Sequence, residues 1–308
     1  MTDVPLIVSV PGNTLSDALG TPPAGVEVIV WDMESAPATT HIDLVVPPYM
    51  GGAGWLRALD GVTTRLVQSQ SIGYDDVPAV LPPGHVFANA ASVHETSTAE
   101  LTLALVLASQ RGIPDFVRAA SEGRWAPARH ESLADRRVLL LGYGGVGRAI
   151  EARLAPFEVE IVRVASRART DEAGAIHGLD ELPALLPTAD IVIVGVPLTD
   201  ATTGLVDDAF LSALPDGALV VNIARGRVAD TAAILDHAAR GRLRFALDVT
   251  DPEPLPDGHP LFALPNVLIS PHVGGASTAM MPRMAKLLRT QIERMLRGEE
   301  PLNVVFRS

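Results

Sequence analysis

The chain alternates short, nearly continuous apolar runs with longer stretches in which apolar residues recur at helical spacing. The runs are Leu6–Val10, Val26–Val30, 42–46, 138–141, 161–164, Ile191–Val194, 219–223 and Val267–Ile269. They are rich in Val and Ile and apolar at successive positions, as expected for strands of a parallel sheet covered on both faces. Between them lie amphipathic stretches such as 147–154 and 231–240. This β–α–β rhythm predicts open, doubly wound sheets. It occurs once before residue 90 and again after residue 135. Two domains are therefore expected, in line with a length of 308 residues at roughly 100–200 per domain.

Residues 97–111 separate the two rhythms. Ser97 and Glu100 have capping-box spacing, and the apolar stretch after them predicts a helix beginning there. A helix apolar on most sides is expected to be buried, between domains or against a second subunit. Residues 112–135, with Trp125, read as an irregular excursion. The stretch from about 278 to 297 reads as another helix, closed by Gly298. It is expected to pack back on the N-terminal part. The boundaries this implies are 1–96 with 280–308 for one domain and 97–279 for the other.

Composition narrows the chemistry. Acidic residues outnumber basic ones 36 to 24, for a net charge of −12. Such a balance disfavours a nucleic-acid partner, whose phosphates need a basic surface. Lys286 is the sole lysine, and there is no cysteine. Disulfides, thiol nucleophiles, Cys-ligated zinc and iron–sulfur clusters are thereby excluded. So are a phosphate-loop lysine and a Tyr-x-x-x-Lys pair, since position 282 is Pro. No metal site is expected. The N-terminus lacks the basic region of a signal peptide. No apolar run reaches the ~18 residues of a membrane span. The expectation is a soluble, cytoplasmic protein.

The sequence Gly142-Tyr143-Gly144-Gly145-Val146-Gly147 lies between a predicted strand and a predicted helix. It is a G-x-G-x-x-G turn. Gly142 permits the tight turn, Gly144 admits a pyrophosphate to the backbone, and Gly147 allows close helix–strand packing. A dinucleotide site is expected. An NAD site usually ends its second strand with a carboxylate for the ribose 2′-hydroxyl. Here that strand runs into Ala165, Ser166, Arg167 and Arg169. Guanidinium forks suit a 2′-phosphate, so NADP(H) is favoured, with NAD(H) possible.

Three further segments follow apolar runs and should share the carboxyl edge of the sheet, where open α/β sheets bind ligands. They hold Arg225, then Asp248 and Glu253, then His272. Histidine can give a proton to a ketone oxygen near neutral pH. A carboxylate fixes its ring, and arginine holds a substrate carboxylate bidentately. With these motifs the chain resembles the D-isomer-specific 2-hydroxyacid dehydrogenases, over essentially its whole length. The resemblance rests on the Arg-Gly pair after Asn-Ile-Ala, the Asp-Val…Glu-Pro-Leu run and Ser-Pro-His-Val-Gly-Gly.

The resemblance implies a Rossmann nucleotide-binding domain and a flavodoxin-like substrate domain, with the active site in the cleft. It implies Arg225 as the substrate-orienting residue, Glu253 as partner of the histidine, and His272 as general acid/base. It adds Asp248, Ala224, Gly274, Pro197 and Thr98 to the cofactor side. Ser71, Ile72 and Gly73 align with a loop whose N–H groups hold the substrate carboxylate. The partner implied is a small 2-ketoacid or 2-hydroxyacid of the glyoxylate or hydroxypyruvate kind, and a homodimer is implied as well. Two rivals remain: a non-enzymatic NAD(P)-sensing corepressor, and a formate- or phosphite-type dehydrogenase. Among the other residues, His94 reads as a solvated loop histidine, His259 as part of a structural loop, and Asp75 and Asp76 as turn residues. Tyr74, Met50 and Trp55 are candidates for the substrate pocket that on sequence alone read as core or surface, and Arg227 reads as structural.

Overall fold

A computed structural model describes residues 5–50, 52–172 and 174–308. The first residues, on which the leader reading bears, lie partly outside this range. The chain forms two compact units, Met1–His94 with Ala276–Ser308, and Glu95–Gly275. Among the described residues no helix is long and apolar enough to cross a membrane.

The first unit opens with β1 (Leu6–Val10), α1 (Asn13–Leu19), β2 (Val26–Val30), β3 (Leu44–Val45), β4 (Leu66–Gln68) and β5 (Val86–Ala88). The apolar run 42–46 thus supplies only two residues of strand, although all five are buried. The backbone bonds reach beyond the ladder, since Ile42 N–H donates to the Thr63 carbonyl (3.0 Å) and Val46 N–H to the Ser9 carbonyl (2.9 Å), and the run includes one buried polar residue, Asp43.

The second unit begins with α2 (Glu95–Gln110) and α3 (Ile113–Ser121). Two expectations are corrected here. Helix α2 starts two residues before Ser97, so Ser97 and Glu100 lie inside it and form no capping box. The excursion 112–135 is partly helical. Gly112 turns left-handed at φ 62°, and Pro114 then opens α3. Trp125 follows, 95% exposed.

The chain continues through β6 (Arg137–Leu141), α4 (Gly145–Leu154), β7 (Glu160–Val164), the antiparallel hairpin β8 (Arg169–Asp171) and β9 (Gly174–Ile176), α5 (Leu182–Leu185), β10 (Ile191–Val194), α6 (Asp208–Ser212), β11 (Leu219–Asn222), α7 (Thr231–Ala239), β12 (Arg244–Leu247) and β13 (Val267–Ile269). Six of these strands make a wholly parallel sheet in the order β13-β12-β11-β10-β6-β7. Successive side chains alternate between its faces. Val138, Leu140, Ile191, Ile193, Leu219 and Val221 pack under α2 and α4. Leu139, Leu141, Val192, Val194, Val220 and Phe245 pack under α6 and α7.

The last part returns to the first unit as α8 (Met280–Leu296) and β14 (Val304–Arg307). Met284, Leu288 and Ile292 of α8 join Leu6, Val8, Leu44 and Leu66 in one core. The first sheet has the order β14-β5-β4-β3-β1-β2. Its edge strand β14, absent from the sequence expectation, runs antiparallel to β5.

Candidate active site

In the parallel sheet of the second unit, every strand delivers its following residue to the same edge. That edge carries the glycine turn after β6, Ala165 after β7, Gly195 after β10, Ile223 after β11, Asp248 after β12 and Ser270 after β13. Most of the candidate residues gather here because the strands are parallel and their ends align.

The glycine turn is dictated by space. Gly142 has φ 111°, and a Cβ there would lie 2.5 Å from the Gly195 carbonyl. A Cβ on Gly147 would lie 2.3 Å from the Gly142 oxygen. At Gly144 a Cβ would meet nothing within 4 Å. Gly144 and Gly145 are exposed, Val146 is half-buried, and no side chain caps the N-terminus of α4. The Glu95 side chain packs beside this turn, its Oε1 3.2 Å from where a Cβ on Gly145 would lie. The turn fits a dinucleotide pyrophosphate at the place a larger residue would fill. Tyr143 does not offer its side chain: the ring is buried in the core and its hydroxyl donates to Glu151. Burial first, and then the Glu151 carboxylate, push the Tyr143 hydroxyl above its ordinary pKa.

Past β7, Ala165 is buried, while Ser166, Arg167 and Arg169 are exposed. Arg169 opens β8 and donates through Nη2 to the Tyr143 carbonyl, 3.2 Å away. Pro197 is exposed, and its carbonyl accepts from the Thr202 hydroxyl at 2.6 Å. Thr98 lies in the first turns of α2, and its side chain would sit 3.4 Å from a Cβ on Gly274.

Asp248 organises the rest. It is 3% exposed. Its Oδ1 accepts from the Ser270 hydroxyl at 2.7 Å and from Val273 N–H at 2.9 Å. Its Oδ2 accepts from Gly274 N–H at 2.9 Å. These bonds shape the loop that presents His272. The His272 N–H donates to the carbonyls of Asp248 (2.7 Å) and Ser270 (3.0 Å), in a left-handed backbone conformation at φ 54°. Such a conformation costs free energy outside glycine and persists because its surroundings fix it.

His272 Nδ1 and Glu253 Oε1 lie 2.5 Å apart. A carboxylate only accepts, so Nδ1 carries the proton, and Nε2 makes no hydrogen bond among the described residues. Both side chains are about two-fifths exposed, at 42% and 40%. Arg225 is held in extended conformation at the end of β11. Its Nη1 donates to the Ala224 carbonyl at 2.8 Å. Asn222, to which no role was assigned from sequence, braces this turn. Its Oδ1 accepts from Ala224 N–H (3.0 Å) and its Nδ2 donates to the Arg225 carbonyl (3.1 Å). Gly226 packs against the neighbouring loop, where a Cβ would lie 1.8 Å from the Thr250 oxygen. The Arg225 turn and the loop leading to Glu253 are thus in contact.

Ser71, Ile72 and Gly73 belong to the first unit. Ser71 N–H already donates to Ser69 Oγ at 2.9 Å, and the Ser71 and Ile72 carbonyls accept from Ala90 N–H and Asn89 Nδ2. Among the described residues, the N–H groups of Ile72 and Gly73 make no hydrogen bond. His94 is not solvated. It is 3% exposed, its Nε2 lies 2.6 Å from the Gln70 carbonyl, and it stacks on Tyr49. His259 caps a short helical turn by accepting from Leu261 N–H, and Trp55 packs against the core. A cavity of about 560 Å³ opens at the opposite, amino edge of the parallel sheet, beside Arg136, Asp190, Ala218 and Arg244. It holds none of the candidate residues.

Residues 103–274 match the family described as D-isomer specific 2-hydroxyacid dehydrogenase, NAD binding domain. The chain is 32% identical to a glyoxylate reductase of Thermofilum pendens over 248 residues, covering 77% of this chain and 73% of that protein. It is 31% identical to the human glyoxylate reductase/hydroxypyruvate reductase over 255 residues, covering 79% and 78%. A D-isomer specific 2-hydroxyacid dehydrogenase from Xanthobacter autotrophicus Py2, solved in complex with NADPH and MES, superimposes with a TM-score of 0.82. It is 29% identical and 98% of each chain is covered. The chain belongs to the D-isomer-specific 2-hydroxyacid dehydrogenase family. It is an oxidoreductase that uses a nicotinamide cofactor and a small-molecule substrate.

Proposed function

We propose that the protein is an NADPH-preferring reductase of small 2-ketoacids, of the glyoxylate or hydroxypyruvate kind, yielding the D-2-hydroxyacid. The observation that carries this reading is the His272–Glu253 pair at 2.5 Å on the strand edge that also bears Arg225. When bound, the nicotinamide supplies the hydride. Arg225 takes the substrate carboxylate through its guanidinium fork. His272, charged beside Glu253, gives the proton on Nε2 to the ketone oxygen as that oxygen gains electrons. In the reverse direction it takes the proton back. In the first unit, the free N–H groups of Ile72 and Gly73 are proposed as carboxylate donors.

The preference for NADPH is supported by the absence of a carboxylate at the tip of β7 and by exposed Ser166, Arg167 and Arg169. The Xanthobacter protein, solved with NADPH, is in keeping with it. The matched Arg, Glu and His set favours an enzyme over a cofactor sensor, which needs no aligned acid. We further propose a cytoplasmic homodimer that binds no nucleic acid. The dimer is supported by the bare apolar side chains Ile113, Val117 and Trp125. The absence of a nucleic-acid partner is supported by the charge of −12.

A panel of 2-ketoacids, with formate and phosphite as donors in the reverse direction, tests the reading through NADPH and NADH absorbance. Ketoacid turnover that collapses in His272→Ala while NADPH still binds is expected. Tight NADPH binding without turnover of any ketoacid would favour the sensor.

A further inference from the structure

Arg148 follows Gly147 directly and lies in the first turns of α4, beside the cofactor turn. Its Nη2 is 2.6 Å from Asp171 Oδ2, the last residue of β8. Its guanidinium carbon lies 4.8 Å from the centre of the Tyr143 ring. That ring is itself immobilised. The Tyr143 hydroxyl donates to Glu151 Oε2, and Arg163 holds Glu151 Oε1. Arg148 therefore sits on a fixed seat. The β8–β9 hairpin is tied twice to this region, to α4 by Arg148 and Asp171 and to the glycine turn by Arg169 and the Tyr143 carbonyl.

The hairpin carries opposite charges close together. Arg169 begins β8 and Asp171 ends it, two residues apart. A ribose 2′-phosphate bears about two negative charges near neutral pH. A bare carboxylate nearby would repel it through a surface of intermediate dielectric, within a screening length of about 10 Å. A 2′-hydroxyl carries no such charge and would feel little.

We propose that Arg148 is a positioning residue for cofactor choice. By pairing with Asp171 it neutralises the hairpin's carboxylate and keeps Arg169 turned to the glycine turn, so that the 2′-phosphate meets the guanidiniums and the Ser166 hydroxyl but no unpaired carboxylate. This inference rests on the NADPH reading above.

The test is direct titration of the full-length protein with NADPH and NADH, followed by nicotinamide fluorescence, with thermal melts alongside. Arg148→Ala is expected to weaken NADPH at least about 10-fold and NADH less than about twofold, one decade being about 1.4 kcal/mol. Adding Asp171→Asn to that variant should restore NADPH to within about threefold of wild type. Arg148→Lys, which keeps the charge, should stay near wild type. Equal weakening of both cofactors by Arg148→Ala, or no recovery in the double variant, would overturn the inference. A wild-type preference for NADPH that survives Arg148→Ala would overturn this inference alone. Equal wild-type affinities would overturn the NADPH reading and this inference with it.

Discussion

Replacing Gly226 with alanine should cut kcat/KM about 100-fold while leaving NADPH binding nearly intact. Gly226 does not have a left-handed backbone, so the constraint on it is space alone. An alanine methyl would lie 1.8 Å from the Thr250 oxygen and 2.7 Å from the Asp251 nitrogen, where real contacts stay above 3.0 Å. Going from 1.8 to 3.0 Å requires a movement of about 1.2 Å. One of two loops must supply it: the turn that holds Arg225, or the loop that runs from Thr250 to Glu253. The second is anchored further on, since the Thr231 hydroxyl donates to the Asp251 carbonyl at 2.5 Å. A misplacement of about 1 Å in a catalytic constellation costs on the order of 100-fold. That is about 2.7 kcal/mol of barrier at about 1.36 kcal/mol per decade. Overpacking should also lower stability by about 1–3 kcal/mol. The assay is steady-state reduction of the best ketoacid from the panel, with NADPH titration and a thermal melt of the same sample. Among the described residues the Gly142–Gly147 turn, the proposed pyrophosphate seat, makes no hydrogen bond to either loop, so most of the NADPH affinity should be retained. A kcat/KM within threefold of wild type would refute the reasoning, because the contact would then not set the spacing of Arg225 and Glu253.

Three further outcomes follow from the same geometry. Asp248→Asn removes a carboxylate that accepts three hydrogen bonds and sets an amide against an N–H, so urea midpoints should report a loss of about 1–3 kcal/mol. The same variant should lose turnover, since the His272 loop hangs on those bonds; unchanged stability would count against the role given to Asp248. Glu253→Gln keeps a hydrogen-bond partner for His272 but not the charge, and kcat should fall at least about 10-fold with KM largely unchanged. Burial lowers the His85 pKa from 6.5, so the unfolded chain takes up a proton before the folded one does. Stability is thus fully present above pH 6.5 and lost as pH falls through that value towards the folded pKa. His85→Asn should flatten that slope in urea midpoints measured above and below this pH, and an unchanged slope would place its origin elsewhere.

The central strands were legible because burial on both faces leaves a simple trace, and the edge strands β2 and β13 keep apolar runs although none of their residues is fully buried. Each is a nearly continuous apolar run, and the runs coincide with β1, β2, β10 and β13 at both ends. Because the strands of the second sheet are parallel, residues just past each run share an edge. Linear motif positions therefore implied spatial neighbours, and Arg225, Glu253 and His272 could be named together. Elements without that trace were missed. The hairpin β8–β9 has only three residues per strand and a mixed sequence, Arg169–Asp171 and Gly174–Ile176. Strand β14 is defined by an antiparallel partner more than two hundred residues earlier. Helix α2 begins at Glu95, so the Ser97–Glu100 spacing is an accident of composition within the helix.

The supporting residues share one reason for being invisible in sequence: their partners are distant or belong to the backbone. Asn222 acts on the N–H of Ala224 and the carbonyl of Arg225, and an isolated Asn at a strand end reads as ordinary turn chemistry. His94 is buried by Tyr49 and Gln70, neither of which is near it in the chain. Asp248 is the instructive case. Sequence placed it on the cofactor side by resemblance, yet its three accepted bonds all come from the loop that carries His272. His272 is therefore held from two sides: Glu253 fixes the ring through Nδ1, and Asp248 fixes the backbone beneath it. Removing the first should cost rate alone, whereas removing the second should cost rate and stability together. That split separates the two carboxylates by function where the sequence shows only two acidic residues five positions apart.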